Sequence, residues 1–172
     1  MEACTINATG VGQYDATELI EAENYFELRG DGVKIDLLAE GDDDGDAGFA
    51  VALHAGSELF YPNIKLPAAA AGHSASILRL KLTLYLAAAA TGATITASSA
   101  SGQVLGSSIV PFTSAWSSYR AVLVPVDIPV DSLDEHGRLD LVLSLGVEAA
   151  SALVRSNGGE RARLKHFALE LQ

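Results

Sequence analysis

Ile77-Leu78-Arg79-Leu80-Lys81-Leu82-Thr83-Leu84-Tyr85-Leu86 is the stretch that decides the fold. Leu78, Leu80, Leu82, Leu84 and Leu86 fall on every second position, and Arg79, Lys81, Thr83 and Tyr85 fall between them. A strand sends successive side chains to opposite faces, so this alternation reads as an antiparallel strand with one face buried. Leucine favours helices by intrinsic propensity. A helix would nevertheless spread these five leucines around its whole circumference, so the alternation outweighs the propensity. Leu139, Leu141, Leu143 and Leu145 repeat the pattern against Asp140, Val142 and Ser144.

Working outward, further strands are predicted at Glu18–Glu23, Gly32–Leu38, Gly48–Leu53, Glu58–Leu66, Ala93–Ser98, Val104–Val110, Ser118–Val126, Ala149–Arg155 and Leu164–Leu171. Turn chemistry separates them at Gly41–Gly45, Pro67–Gly72, Ser101-Gly102, Ser114-Ala115, Asp134–Gly137 and Asn157–Gly159. About 9–11 short strands with frequent turns predict an all-β protein: an antiparallel two-sheet β-sandwich of the jelly-roll type. No alternation of strands with helices points to a doubly wound α/β fold. The sandwich is expected over residues 18–172, with residues 1–17 as a leader or a first strand.

A chain of 172 residues allows one domain. With 49% hydrophobic and 19% charged residues it can build a core, and its composition is not that of a disordered chain. Eleven Lys and Arg against 22 Asp and Glu leave a net charge of −11. That balance argues against a nucleic-acid partner, whose phosphates need a positive footprint. It also disfavours an anionic membrane surface, although a single arginine can still meet a single carboxylate. Cys4 is the only cysteine, so no internal disulfide and no zinc cluster is expected. No apolar run reaches the roughly 18 residues of a membrane helix. The opening Met1-Glu2-Ala3-Cys4 has neither the basic nor the apolar region of a signal peptide.

Several segments, taken in order, resemble the family 6 and family 35 carbohydrate-binding modules. Ile20-Glu21-Ala22-Glu23-Asn24-Tyr25 is similar to their opening strand and is the most specific match. Asp44-Gly45-Asp46-Ala47-Gly48-Phe49 resembles their acidic, glycine-rich loop, and Gly56-Ser57-Glu58-Leu59-Phe60-Tyr61 the strand that follows. Ile64-Lys65-Leu66-Pro67 is similar to the close of that strand, and Leu78-Arg79-Leu80 to their central strand. Thr113-Ser114-Ala115-Trp116 with Tyr119 resembles a tryptophan-bearing turn, and Leu164-Lys165-His166-Phe167-Ala168-Leu169 the closing strand. The resemblance spans about Glu18 to Leu171. It implies a non-catalytic β-sandwich that binds a polysaccharide or oligosaccharide, is joined to a carbohydrate-active enzyme, and is secreted.

Sugar rings offer an apolar face for an aromatic ring and polar edges for hydrogen bonds. Carried over by position, the resemblance implies a loop-end cleft of Phe49, Trp116 and Arg163, with Asn157 and Arg161 competing for the last role. Arg163 offers a fork of donors suited to a carboxylate or sulfate. Structural alternatives stand beside each. Trp116 could fold over the sandwich edge, Phe49 shares its alternation with Val51 and Leu53, and an arginine is ordinarily solvated. A second expected location is a sheet face bearing Arg79, Lys81, Thr83 and Tyr85. The resemblance also implies a structural calcium held by Glu21 and Glu23 with an acidic residue of the closing strand. Lys165 occupies that last position, and its ammonium could replace the ion. Asp42-Asp43-Asp44-Gly45-Asp46 reads as a solvated acidic turn, since it lacks the glycine and glutamate of a helix–loop–helix calcium loop.

Signals for catalysis are absent. No motif sets two carboxylates across a cleft. The four histidines show no metal-ligand spacing, and there is no nucleophile elbow or phosphate loop. Phe26-Glu27-Leu28-Arg29 resembles one element of jelly-roll alginate lyases, but that family's downstream histidine and tyrosine elements are missing. A glycan-binding module is therefore expected. The alternatives are a structural or interaction sandwich that has lost sugar binding and, behind it, a small lyase.

Overall fold

A computed structural model describes residues 19–36, 48–67, 76–88, 93–111, 113, 119–147 and 161–171. Eleven strands run through them: β1 Ile20–Glu21, β2 Glu27–Arg29, β3 Gly32–Asp36, β4 Phe49–Leu53, β5 Glu58–Lys65, β6 Ile77–Ala88, β7 Ala93–Ser99, β8 Val104–Val110, β9 Arg120–Pro129, β10 Arg138–Val147 and β11 Ala162–Leu171. A six-stranded sheet has the order β3-β4-β11-β6-β9, with β1 also paired to β11; a five-stranded sheet has the order β2-β5-β10-β7-β8. Every pairing is antiparallel. Among the described strands only β3-β4 and β7-β8 are neighbours in both sequence and sheet, so the chain otherwise crosses between layers, as the jelly-roll expectation requires.

The alternating leucines build the core. Leu78, Leu80, Leu82, Leu84 and Leu86 of β6 point inward, as do Leu139, Leu141, Leu143 and Leu145 of β10 in the facing sheet. Together with Val122, Val124, Val126 and Ile128 of β9 they form one continuous apolar layer. Tyr61 of β5 packs edge-on against Phe167 of β11, centroids 4.8 Å apart, and its hydroxyl donates to the Ala22 carbonyl at 2.7 Å. Burial pushes the Tyr61 phenol well above its ordinary pKa.

That bond explains one departure from the sequence reading. The strand expected over Glu18–Glu23 ends at Glu21, and Ala22–Asn24 forms a short 3-10 turn. Ala22, the first residue of this turn, is fully buried, so the chain bends inward where a strand would have run on. A further departure is β2, a three-residue strand that pairs with Glu58–Phe60 and is not among the expected strands. Predicted strand Ala149–Arg155, residues 1–17 and the acidic run Asp42–Asp46 lie outside the described residues.

Two local irregularities shape the sandwich. Pro62 cannot donate to a ladder, and β5 bulges there against β10. Asn63 takes a left-handed conformation with φ 58, and its N–H donates to the Asp140 carboxylate. At the edge, Gly106 of β8 lies so close to β9 that a Cβ there would overlap the Pro125 carbonyl. The Ser108 hydroxyl donates to the Leu123 carbonyl nearby, so the two sheets close against each other along this side.

Candidate functional site

The outer face of the six-stranded sheet can be read off its registers, because directly paired residues of an antiparallel sheet share a face. On β6 the outward residues are Arg79, Lys81, Thr83, Tyr85 and Ala87. Their β9 neighbours, as far as Tyr85, are Asp127, Pro125, Leu123 and Ala121. Across β11, Lys81 faces Glu170, Thr83 faces Ala168, Tyr85 faces His166 and Ala87 faces Arg163. Arg163 also faces Ala52 of β4, and His166 faces Glu21 of β1.

A β-bulge divides this face. Leu164 pairs with Leu86 and His166 with Tyr85, which leaves Lys165 as the extra residue of β11. Leu164 and Phe167 both stay in the core, so Lys165 and His166 are both displaced to the outer side. His166 lies flat on Tyr85, with centroids 4.9 Å apart and planes 12° apart. Tyr85 in turn stacks on Tyr119 at 5.6 Å and 24°. The Lys165 ammonium sits 4.8 Å from the Tyr119 ring centre and 5.8 Å from that of Tyr85, and the residue is only 6% exposed. Three rings and a buried cation thus occupy the end of the face where β6 finishes and β11 begins.

Arg163 lies beside them, 8% exposed, with alanine on both flanking strands. Ala52 and Ala87 are fully or almost fully buried yet stand outside the main core, so other side chains cover them on this outer side. Arg161, half-buried, precedes β11, and its backbone N–H donates to the Leu53 carbonyl. Thr113 and Tyr119, the described residues on either side of Trp116 in sequence, are both anchored to β6. Thr113 exchanges hydrogen bonds with the Ala88 backbone, and Tyr119 stacks on Tyr85. Trp116 and Asn157 themselves lie outside the described residues.

Phe49 is placed differently from the cleft the resemblance implies. It starts β4 on the same side as Val51 and Leu53, whereas Arg163 faces Ala52 on the opposite side of the sheet. The Lys34 ammonium rests 4.6 Å from the Phe49 ring centre. The structure therefore does not bring Phe49 and Arg163 onto one surface. The residue beside Arg163 is Ala52.

The calcium expectation can be tested against the same geometry. Calcium takes six to eight oxygen ligands. Glu21 is exposed at the end of β1 and Glu23 belongs to the 3-10 turn, so they are not alternate residues of one strand as the sequence suggested. Among the described residues no three His, Cys, Asp or Glu side chains gather around a common point. The closing strand contributes the Lys165 ammonium at the position where the resemblance calls for an acid. These residues do not fit the ion.

Tyr85 belongs to the polar sheet face expected from the sequence, whereas His166 has no expected role. The signal for their cluster was present in Leu164-Lys165-His166-Phe167: two core residues three positions apart, with two polar residues between them, break the period of two and mark a bulge.

No protein-family model matches the sequence, and no curated protein matches it significantly. Solved structures match it along most of its length, and the fold they define is that of the family 6 carbohydrate-binding modules. One is the C-terminal family 6 module of a marine laminarinase from Zobellia galactanivorans. It has a TM-score of 0.63 and 20% identity, over 90% of this chain and 98% of that one. Another is a family 6 module of the Cellvibrio mixtus lichenase 5A, solved in complex with cellotriose. It has a TM-score of 0.63 and 16% identity, over 91% of this chain and 98% of that one. A family 43 arabinoxylan arabinofuranohydrolase from Bacillus subtilis carries the same fold within a longer chain. There the TM-score is 0.57 and the identity 14%, over 91% of this chain and 27% of the enzyme.

Proposed function

We propose that this chain is a non-catalytic carbohydrate-binding module that holds a polysaccharide or oligosaccharide. The observation that carries the reading is the fold shared along nine-tenths of the chain with the laminarinase and lichenase modules. The reading extends to a parent protein in which an attached, secreted carbohydrate-active enzyme is kept near its polymer. The arabinofuranohydrolase, which contains the fold as about a quarter of its length, supports that arrangement.

The proposed contact region is the end of the six-stranded sheet where β6 finishes and β9 and β11 begin. Trp116 supplies a stacking ring, and Arg161, Arg163 and Asn157 supply donors for sugar hydroxyls or a carboxylate. Phe49, on the other side of the sheet, would contribute only as a separate stacking surface. One aromatic contact is worth about 0.5–1.5 kcal/mol beyond area burial. A site of this size therefore implies affinities in the micromolar to millimolar range.

Trp116→Ala should weaken binding about tenfold or more on an affinity gel loaded with laminarin, mixed-linkage β-glucan, xylan and an acidic polysaccharide. Retardation of the wild type by none of these polymers would overturn the function. Retardation unchanged by Trp116→Ala would overturn the placement. A second reading, an interaction sandwich without sugar binding, is favoured by one observation: Arg163 is buried, with alanine facing it on both flanking strands. A blank glycan array would support it.

A further inference from the structure

The bulge of β11 puts a positive charge where a structural ion would need negative ones. A metal ion at this corner would fasten the opening strand to the closing strand. Lys165 stands at the same corner and is packed for a comparable task. Its ammonium touches the Tyr119 and Tyr85 rings, at 4.8 and 5.8 Å from their centres, and is nearly excluded from solvent. Tyr85 belongs to β6 and Tyr119 immediately precedes β9. His166, stacked on Tyr85, is the register partner of Glu21 in β1. One side chain and three rings therefore connect β11, β6 and the start of β9, and β1 joins them through its backbone pairing with His166.

We infer that the Lys165 ammonium, held against Tyr85 and Tyr119, takes the place of a structural divalent cation, and that this sandwich is stable without calcium. The physical case has three parts. A buried ammonium needs compensation for lost water, and the faces of two tyrosine rings contribute to it through their quadrupoles. The four-carbon stem packs on apolar surface while the charge reaches the rings. A divalent ion brought to the same corner would face this fixed charge at short range in a poorly screened setting, which opposes its binding.

The test reads stability, so its outcome is separate from that of glycan binding. Thermal unfolding of the wild type in millimolar calcium and in excess EDTA should give the same Tm. An ion bound at a hundred times its dissociation constant would raise Tm by about 5–10 °C, and a rise of that size would overturn the inference. Lys165→Arg keeps a cation able to lie on both rings and should retain most of the Tm. Lys165→Gln removes the charge at similar length and should lose about 4–8 °C. Equal losses in the two variants would show that the charge is not what matters and would also overturn it. Lys165→Asp puts a carboxylate next to His166, the register partner of Glu21, and should be destabilised and should regain stability with added calcium. A folded Lys165→Asp protein indifferent to calcium would show that this corner is not an ion's place.

Discussion

The two ends of the outer face of β6 hold their charges in opposite ways. Near the start of β6, Arg79 sits opposite Asp127, and Lys81 makes a 3.6 Å ion pair with Glu170. Both partners of that pair are more than a third exposed, and the ladder beneath them is regular. Near the end of β6 the same alternation carries Tyr85 and Ala87, and β11 answers with the bulge, His166, Lys165 and Arg163. There the cations are buried and the rings are stacked. The same backbone periodicity thus yields a solvated charge ladder at one end and a packed polar cluster at the other. What separates them is one extra residue in β11 and small residues on the strands beside Arg163.

The largest effect should come from breaking the cluster at its centre. Tyr85 touches His166 on one side and Tyr119 on the other, and it shares the Lys165 cation. Tyr85→Ala removes two stacked pairs and takes one of the two rings away from the Lys165 cation. A loss of about 2–4 kcal/mol in urea unfolding is expected, below the full cost for a wholly buried aromatic because Tyr85 is only half-buried. A loss under 1 kcal/mol would make this end of the face no different from the other.

How much of this was legible depends on how local its cause is. The inward leucines of β6 and β10 announced two sheets because a period of two needs no tertiary information. β2 went unseen because three residues, Glu27-Leu28-Arg29, are too few to show any period. The place of Phe49 in a motif points to the cleft. Its side of the sheet depends on strand register, which the alternation with Val51 and Leu53 indicated and the motif concealed. The 3-10 turn at Ala22–Asn24 has a long-range cause, the Tyr61 hydroxyl reaching across the core, and no local pattern encodes that. The pairing of Lys165 with two tyrosines from separate strands is of the same kind.

An intermediate effect should follow from filling the space beside Arg163. Ala87 has no exposed surface, and its neighbour across the pair is the buried guanidinium-bearing strand position. Ala87→Leu adds three carbons to a close-packed surface and must displace Arg163 or its cover. About 1–3 kcal/mol of destabilisation is expected from such overpacking. Through the proposed sugar contact at Arg163, glycan affinity should fall with it. Unchanged stability would mean that the alanines leave spare room and that Arg163 is not held down by their size.

The smallest effect should come from the regular end. Lys81→Met removes the ammonium from the Glu170 pair and keeps an unbranched side chain over the same surface. Exposed pairs of this kind contribute about 0–1 kcal/mol, because water screens the attraction and two long side chains must be ordered to form it. Stability should therefore change little, and that little should shrink further as salt is raised, since screening acts most strongly on exposed charges. The comparison with Lys165→Gln is then direct. Two lysines on the outer side of one sheet lose the same charge, one from a pair open to solvent and one from a site closed by rings. A Lys81→Met loss as large as that of Lys165→Gln would erase the distinction between the two ends. A small, salt-sensitive loss at Lys81 beside a larger, salt-insensitive one at Lys165 would assign the difference to burial, the property that the β11 bulge creates.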